Sequence, residues 1–313
     1  MILMGSGAMT ERGLRAAGRI AQTGVRVFMD TFVSRQPRGA GRFAPERLPY
    51  WGEKALASLQ GIDLMILAGT KTPVAFFAYP GMPSVLVPEG CAVETLCRPD
   101  EDCEWSLLAL ADTVAAAAQP NALPWAIPED TPRGDLTPVS IGISIARHLP
   151  EDAVVSEDAV TAGLDVYALT SAVRSHDWLF LTGGAIGQGI PAAIGAAIAQ
   201  PQRKILCLTG DGAAAYTLQA LWTLARERLN VAVIVFANRA YRILDWELTR
   251  TQSGSGGSRA RSLLDLTDPM LDWRSIAEGC GLNATRCDTA ESFDAALANA
   301  LAENGPSLIE AVI

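Results

Sequence analysis

Short apolar runs alternate with amphipathic stretches along most of this 313-residue chain. Before residue 119 the pattern predicts these strands: Ile2–Met4, Val25–Met29, Asp63–Ala68 and Ser84–Val87. It predicts these helices between and after them: Thr10–Gln22, Gly52–Leu59 and Asp102–Ala118. Strands that alternate with helices are typical of a parallel sheet covered on both faces. Residues 1–118 are therefore predicted to form a doubly wound α/β domain.

A polar, proline-containing stretch follows at residues 119–136 and is predicted to be an interdomain linker. Thr137 and Pro138 then make a favourable helix start. The predicted strands beyond it are Ala153–Ser156, Trp178–Leu181, Lys204–Leu208, Val231–Phe236, Ala284–Cys287 and Ser307–Ile313. The predicted helices between them are Ile190–Ala199, Tyr216–Glu227, Trp273–Cys280 and Ala290–Ala302. This pattern indicates a second doubly wound parallel sheet over residues 137–313, with ligands at the carboxyl ends of its strands.

Composition narrows the classes of function. Hydrophobic residues make up 49% of the chain and charged residues 19%, as expected of a well-packed folded protein. The net charge of −9 argues against a nucleic-acid surface, so an anionic ligand would need a metal ion or backbone amides. The cysteines lack the close pairing of a zinc site, and no apolar run reaches membrane-spanning length. These features predict a cytoplasmic protein with reduced thiols and no membrane partner.

Two oxygen-bearing side chains follow neighbouring predicted strands. The motif Gly210-Asp211-Gly212-Ala213 comes just after one strand, and Asn238 comes just after the next. A carboxylate and a carboxamide at adjacent strand ends suit Mg²⁺ or Ca²⁺, which prefer oxygen ligands. Glycines let the backbone approach a phosphate, and the helix that follows offers its N-terminal amides. The motif therefore indicates a metal-assisted phosphate site.

The motif resembles the diphosphate-and-metal motif of thiamine diphosphate (ThDP) enzymes. A second block strengthens the resemblance, because residues 183–195 read Gly-Gly-Ala-Ile-Gly-Gln-Gly-Ile-Pro-Ala-Ala-Ile-Gly. From about residue 137 onward the chain resembles the diphosphate-binding domain of acetolactate synthases, benzoylformate decarboxylases and pyruvate oxidases. That family usually has two asparagines where this chain has Ala237 and Asn238. The departure leaves the implied metal ligand Asn238 in place.

The resemblance implies a role for each of these residues. Asp211 and Asn238 would supply side-chain oxygens to Mg²⁺, and Ala240 would supply its backbone carbonyl. The Gly184 carbonyl would contact the aminopyrimidine of ThDP, and Ile186 would bend the cofactor. The implied cofactor-binding residues are Gly183, Gly184, Ile186, Gly210, Asp211, Gly212, Ala213, Ala214, Asn238, Ala240 and Tyr241. Among them, the amides of residues 212–214 would bind the diphosphate.

The first domain resembles the central, Rossmann-like domain of the same enzymes, though less specifically. Gly5-Ser6-Gly7 follows the opening strand as in a dinucleotide-binding turn. Thr10 stands where the third glycine of the GxGxxG fingerprint would be, so the fingerprint is broken. FAD, which acetolactate synthases carry in this domain, is therefore a disfavoured alternative ligand here.

The resemblance implies ThDP- and Mg²⁺-dependent carboligation or decarboxylation of 2-oxo acids, with an acetolactate synthase-like reaction expected first. A benzoylformate or other 2-oxo acid decarboxylase is the alternative, and a non-catalytic ThDP- or nucleotide-binding remnant or subunit is the alternative of another class. Leu244 and Trp246 are candidates for the acceptor pocket or for the core. The family implies a homodimer or homotetramer, with the active site formed between subunits.

The family's pyrimidine-binding domain, which carries its catalytic glutamate, would precede Met1. The chain is therefore expected to be a fragment, a product with a misplaced start, or one of two subunits. No residue is assigned the glutamate's role. His176 is a candidate substrate or proton-relay group, whereas His148 is expected to be structural. The glycine- and serine-rich segment between Thr249 and Ser262 is expected to be either a surface excursion or a lid.

Overall fold

The computed structural model describes residues 1–115, 117–250 and 257–313. The chain divides into two compact units, Met1–Pro124 and Trp125–Ile313. Residues 125–136 of the predicted linker belong to the second unit, where the Ala126 amide donates to the Ala172 carbonyl. Among the described residues, no helix combines the length and the apolar character needed to cross a bilayer. Each of the six cysteines is a free thiol.

The first unit is built on a parallel sheet. Its strands are β1 (Ile2–Met4), β2 (Val27–Met29), β3 (Arg35–Arg38), β4 (Glu46–Arg47), β5 (Leu64–Ala68) and β6 (Ala92–Cys97). Its helices are α1 (Glu11–Ala21), α2 (Gly52–Leu59) and α3 (Cys103–Val114). Five strands pair in the order β4-β2-β1-β5-β6. The chain runs outward from β1 to one side and then returns to the other, which confirms the predicted doubly wound class.

The predicted strand Ser84–Val87 is wrong. Val85 makes a single antiparallel bridge with Val74, and the strand that pairs with β5 is β6. Pro83 and Pro88 flank the apolar run, and proline cannot donate a hydrogen bond to a strand ladder. The β6 segment reads Ala-Val-Glu-Thr-Leu-Cys and is largely exposed, so its pattern gave no buried-strand signal.

The second unit contains a longer parallel sheet. Its strands are β7 (Ala153–Asp158), β8 (His176–Leu179), β9 (Ile205–Gly210), β10 (Val231–Ala237), β11 (Asn283–Cys287) and β12 (Ser307–Val312). Its helices are α4 (Pro138–His148), α5 (Gly163–Leu169), α6 (Gly189–Ala199), α7 (Asp211–Ala214), α8 (Ala220–Glu227), α9 (Arg242–Arg250), α10 (Ser258–Ser262), α11 (Trp273–Gly279) and α12 (Ala290–Ala302). The strands of this unit follow the order β11-β12-β10-β9-β7-β8.

The order of strands reverses between β7 and β9. From β7 the chain adds β8 on one side, and then β9 and β10 on the other. The two loops that leave β7 and β9 diverge to opposite faces, and this opens a crevice at the carboxyl ends of those strands. Ligands of doubly wound folds bind in that crevice. The fold therefore predicts a site next to the last residues of β7 and β9.

The central strands carry side chains without exposed surface. The residues of β10 from Val231 to Phe236 are fully buried, because helices cover both faces of a parallel sheet. On one face they pack with Ile190 of α6, Leu224 of α8 and Trp273 of α11. Apolar burial of this kind is the main source of folding free energy and makes the sheet a rigid support for the loops at its edge.

Capping boxes fix the starts of two helices in this unit. Thr137 precedes α4 and exchanges hydrogen bonds with Ser140, as the predicted helix start implied. Thr289 precedes α12 and makes the same exchange with Ser292, with both distances 3.3 Å. Each box satisfies amides that a helix start leaves without a partner.

We expect Thr289→Ala to lower the free energy of unfolding by about 1 kcal/mol, because it removes a cap that serves a long core helix. Urea denaturation measures the change. Asn299→Ala is the matched control, since Asn299 is an exposed residue of the same helix, and it should change stability by less than about 0.5 kcal/mol. Equal losses in the two variants would contradict the capping argument.

Candidate functional site

The two predicted metal-ligand segments leave neighbouring strands at the same edge of the sheet. Gly210, the last residue of β9, pairs with Phe236 of β10. Asp211 begins α7 directly after β9, and Asn238 follows the end of β10. The structure therefore brings the segments of the carboxylate and the carboxamide together at the carboxyl edge, beside the crevice between β7 and β9.

Asp211 joins these segments through its carboxylate. Its Oδ1 accepts a hydrogen bond from the Gly212 amide at 2.8 Å, and its Oδ2 accepts one from the Arg239 amide at 2.6 Å. The side chain is only 4% exposed, and burial raises its pKa, while the two amides act in the opposite direction. Asn238 Oδ1 accepts from the Ala240 amide at 3.0 Å. Both predicted ligands are thus held by backbone donors.

Two glycines allow aromatic side chains to lie against the site. A Cβ added at Gly212 would lie 2.5 Å from Cε1 of Tyr241, and one added at Gly187 would lie 2.7 Å from Cβ of Tyr216. Burial, followed by a hydrogen bond and electrostatic interaction with Tyr216, raises the pKa of Tyr241. The Thr217 hydroxyl donates to the Gly187 carbonyl at 2.8 Å. These contacts join the glycine-rich block to the other two motifs.

The glycine-rich block turns sharply before α6. Gly183, Gly184 and Gly187 have φ values of 61°, 69° and 93°, a backbone region that favours glycine. A Cβ at Gly183 would have no atom within 4 Å, so that position borders open space. Ile186, which the sequence assigned to the cofactor, is half-buried, and its amide donates to the Gly184 carbonyl at 3.1 Å. The block can therefore bring backbone close to a ligand.

The donor set suits a hard cation that shares phosphate oxygens. No group of three or more His, Cys, Asp or Glu side chains that could hold a metal occurs among the described residues. The candidate ligands are instead the Asp211 carboxylate, the Asn238 carboxamide and the Ala240 carbonyl. Mg²⁺ is commonly bound by one or two carboxylates together with waters and substrate phosphates. Apart from the charge interaction with Arg239, backbone amides are the partners of the Asp211 carboxylate within the described residues, so a cation would add positive charge there.

Three other sequence candidates lie on β8 and α9. His176 begins β8 at its amino end, is buried, and has Nδ1 2.8 Å from the Arg174 carbonyl oxygen. It therefore lies at the edge of the sheet opposite Asp211, and the geometry gives its proposed relay role no support. Leu244 and Trp246 belong to α9 and are 48% and 36% exposed, so they are not core residues.

Three further sequence interpretations concern His148, the predicted lid segment and Gly5. His148 contacts Asp294 (Nε2–Oδ1, 3.1 Å), as expected of a structural histidine. Residues 251–256 of the predicted lid segment lie outside the described residues. In the first unit, a Cβ on Gly5 would lie 1.9 Å from the Gly69 carbonyl oxygen, so close backbone packing accounts for that glycine.

Asp158 was not identified by the sequence analysis. It is the last residue of β7 and pairs in register with Thr209 of β9, so it borders the crevice. Its side chain is completely buried, and Oδ2 accepts hydrogen bonds from Gly187 and Gly189. The available signal was an acidic pair, Glu157-Asp158, at the end of an apolar run. The predicted strand stopped at Ser156 and left both acids outside it.

Residues 160–311 match the family model described as thiamine pyrophosphate enzyme, C-terminal TPP binding domain. That range contains the glycine-rich block, Asp211 and Asn238. The chain therefore contains the C-terminal TPP-binding domain of the ThDP-dependent enzymes.

Relatives of the chain fall into two groups of that family. It is 47% identical over 315 residues to the Mycobacterium tuberculosis protein named "Putative acetolactate synthase large subunit IlvX", covering 100% of this chain and 61% of that protein. It is 30% identical over 273 residues to benzoylformate decarboxylase of Pseudomonas aeruginosa, covering 80% of this chain and 49% of that protein. The chain thus spans about half to three-fifths of the length of these curated relatives.

Solved structures agree with the fold. The ThDP-dependent 4-hydroxybenzoylformate decarboxylase of Rhodococcus jostii RHA1 superposes with a TM-score of 0.78 at 25% identity, over 99% of this chain and 60% of that one. Benzoylformate decarboxylase from Polynucleobacter necessarius superposes with a TM-score of 0.76 at 20% identity, over 100% of this chain and 61% of that one. The second likeness concerns the fold alone.

We expect Gly187→Ala to destabilise the protein by about 1–3 kcal/mol, because alanine is strained at positive φ and its Cβ would meet Tyr216. Gly195→Ala is the matched control within α6. Its added Cβ would meet no atom within 4 Å, so better helix propensity should stabilise by up to about 1 kcal/mol. Thermal and urea unfolding measure both changes. Destabilisation by the control, or none by Gly187→Ala, would contradict the described geometry.

Proposed function

We propose that this chain takes part in ThDP- and Mg²⁺-dependent decarboxylation or carboligation of 2-oxo acids, in the manner of an acetolactate synthase. One observation carries the proposal. The segments of Asp211 and Asn238 meet at the carboxyl edge of β9 and β10, beside a glycine-rich block, within the range that matches the TPP-binding family. An oxygen-donor pair and close-approaching backbone are what a metal-bound diphosphate requires.

In this proposal Mg²⁺ is bound by the side-chain oxygens of Asp211 and Asn238 and by the Ala240 carbonyl. The cation neutralises a buried carboxylate and provides the positive charge that the diphosphate needs on a chain of net charge −9. The amides of Gly212, Ala213 and Ala214 bind diphosphate oxygens, and Gly210 lies directly before them at the end of β9.

The rest of the block holds the cofactor's rings. Gly183 and Gly184 bring backbone close to the aminopyrimidine, with the Gly184 carbonyl as acceptor, and Ile186 sets the bend between the two rings. Tyr241 packs on Gly212 and keeps that turn closed. When bound, ThDP supplies the electron sink needed to release CO₂ from a 2-oxo acid, while the protein orients the reactants and excludes water.

A 2-oxo acid decarboxylase of the benzoylformate type is the second candidate. Its support is the named activity of one relative and one structural neighbour, together with partly exposed Leu244 and Trp246 on the helix after the metal segment. A synthase joins the first product to a second 2-oxo acid, whereas a decarboxylase releases an aldehyde. A binding subunit without activity, the third class, releases no CO₂.

The functional unit that we propose is a cytoplasmic homodimer or homotetramer that also contains a pyrimidine-binding domain, on the same or a separate polypeptide. Incubation with ThDP, Mg²⁺ and either pyruvate or benzoylformate tests the reaction, with the corresponding domain of the M. tuberculosis relative added. Acetolactate from pyruvate supports the synthase, aldehyde supports the decarboxylase, and absence of CO₂ with both acids contradicts both enzymes.

Asp211→Asn should weaken ThDP binding at least about tenfold in the presence of Mg²⁺, because one charged metal ligand is lost. Isothermal titration calorimetry gives the dissociation constant with Mg²⁺ and with EDTA, and the difference between variant and wild type should shrink in EDTA. Asp165→Asn removes the same charge from an exposed position on α5 and serves as control. Equal affinity of the wild type and Asp211→Asn for ThDP in the presence of Mg²⁺ would contradict the proposal that Asp211 is a metal ligand.

A further inference from the structure

Asp158 lies at the crevice between β7 and β9 but is not one of the implied ligands of metal or cofactor. Its Oδ2 accepts hydrogen bonds from the amides of Gly187 and Gly189, both at 2.9 Å. Two amides that flank a single residue thus converge on one oxygen. No ion pair of the described residues includes Asp158. Burial raises the pKa of this carboxyl, and the Thr209 side chain and the two glycine amides act in the opposite direction.

The fit between Asp158 and the glycine-rich block is close. A Cβ added at Gly189 would lie 2.3 Å from Asp158 Oδ1 and 2.6 Å from its Cγ, so only glycine allows this approach. The carbonyl groups of the same two glycines are also hydrogen-bonded. The Ser156 hydroxyl donates to the Gly189 carbonyl at 2.9 Å, and the Thr217 hydroxyl donates to the Gly187 carbonyl at 2.8 Å.

These bonds hold the end of the block and leave its start open to a ligand. Gly183 borders open space. Gly187 and Gly189 are held by hydrogen bonds with residues at the carboxyl end of β7 and in the turn after α7. A segment fixed at one end presents its other residues in one arrangement. The conformational entropy of this segment is then lost during folding, so it does not oppose ligand binding.

We propose that Asp158 is a positioning residue for the cofactor, because its carboxylate holds the Gly187 and Gly189 amides and thereby fixes the Gly184 carbonyl and the Ile186 side chain. The proposal rests on the proposed function, which assigns those two groups to ThDP. It requires an acceptor oxygen at position 158 but no contact between Asp158 and the cofactor. A neutral side chain with a carbonyl oxygen should therefore largely replace it.

Two substitutions at position 158 distinguish the effect of the hydrogen-bond acceptor from the effect of the negative charge. Asp158→Leu has similar shape and no acceptor, so its dissociation constant for ThDP with Mg²⁺ should rise at least about tenfold. Asp158→Asn can turn its carbonyl oxygen toward both amides, so its constant should stay within about threefold of wild type. Calorimetric titration of the full chain with ThDP and Mg²⁺ measures both values.

Asp177→Asn is the control for a general loss of stability. Asp177 is a buried carboxylate on β8 that forms an ion pair with Arg203 at 2.7 Å, toward the opposite edge of the sheet. Because Asp177→Asn breaks this ion pair, it should lower the midpoint of thermal unfolding and leave the dissociation constant for ThDP unchanged. If this control raises the dissociation constant for ThDP as much as Asp158→Leu does, the positioning role of Asp158 is overturned.

Amide exchange keeps the proposal testable if Asp158→Leu does not fold. In the wild-type chain without cofactor, the Gly187 and Gly189 amides should exchange at least about a hundredfold more slowly than free peptide amides. Exchange at the free rate would overturn the proposal. If the wild-type chain, supplied with a pyrimidine-binding domain, shows no saturable binding of ThDP with Mg²⁺, the proposed function fails and the role of Asp158 fails with it. Normal wild-type binding with an unchanged constant in Asp158→Leu overturns only the role of Asp158.

Discussion

Asp211 accepts hydrogen bonds from the Gly212 and Arg239 amides, and this carboxylate is the connection between the end of β9 and the loop after β10. The pairing of those strands sets where the two segments leave the sheet. Backbone amides then set the direction of each oxygen. The rest of the site follows from this arrangement, because Tyr241 can pack on Gly212 only when the two segments are joined. The rigid apolar sheet thus fixes where the two loops begin, and backbone amides within those loops fix their polar side chains.

The same arrangement has an electrostatic cost. Burial raises the pKa of Asp211 and of Asp158, which means that their ionised forms are less stable in the folded chain than in water. A carboxyl group with a raised pKa lowers stability at pH values above its unfolded pKa, where the unfolded chain ionises freely. A divalent cation at Asp211 would offset this cost, and its binding would then be coupled to the folding of this edge. Asp158 and Asp211 each accept hydrogen bonds from two backbone amides, but only Asp211 is a proposed cation ligand.

Periodicity was sufficient to predict the buried strands and the class of fold, because β9 and β10 are continuous apolar runs with helices on both faces. It failed at β6, whose side chains are exposed, and at Ser84–Val87, where flanking prolines prevent a ladder. The positions of Asp211 and Asn238 were predictable, since the carboxyl ends of adjacent parallel strands meet at one edge. The role of Asp158 was not, because it depends on two amides about thirty residues away that only the packed structure brings to it. His176 is close to Gly183 in sequence, but it begins β8 and therefore lies at the opposite end of that strand from the glycine-rich block.

The placement of β12 between β10 and β11 bears on how the protein is made. Residues 307–312 are synthesised after every other strand of the second unit, yet they pair with Ala232–Ala237 of the central strand β10. Until they leave the ribosome, one edge of β10 has unpaired amides and carbonyls beside fully apolar side chains. Such an edge is prone to join other chains, and its pairing across long sequence separation is slow. Chaperone protection of the nascent chain is therefore most valuable in the interval between synthesis of β10 and synthesis of β12.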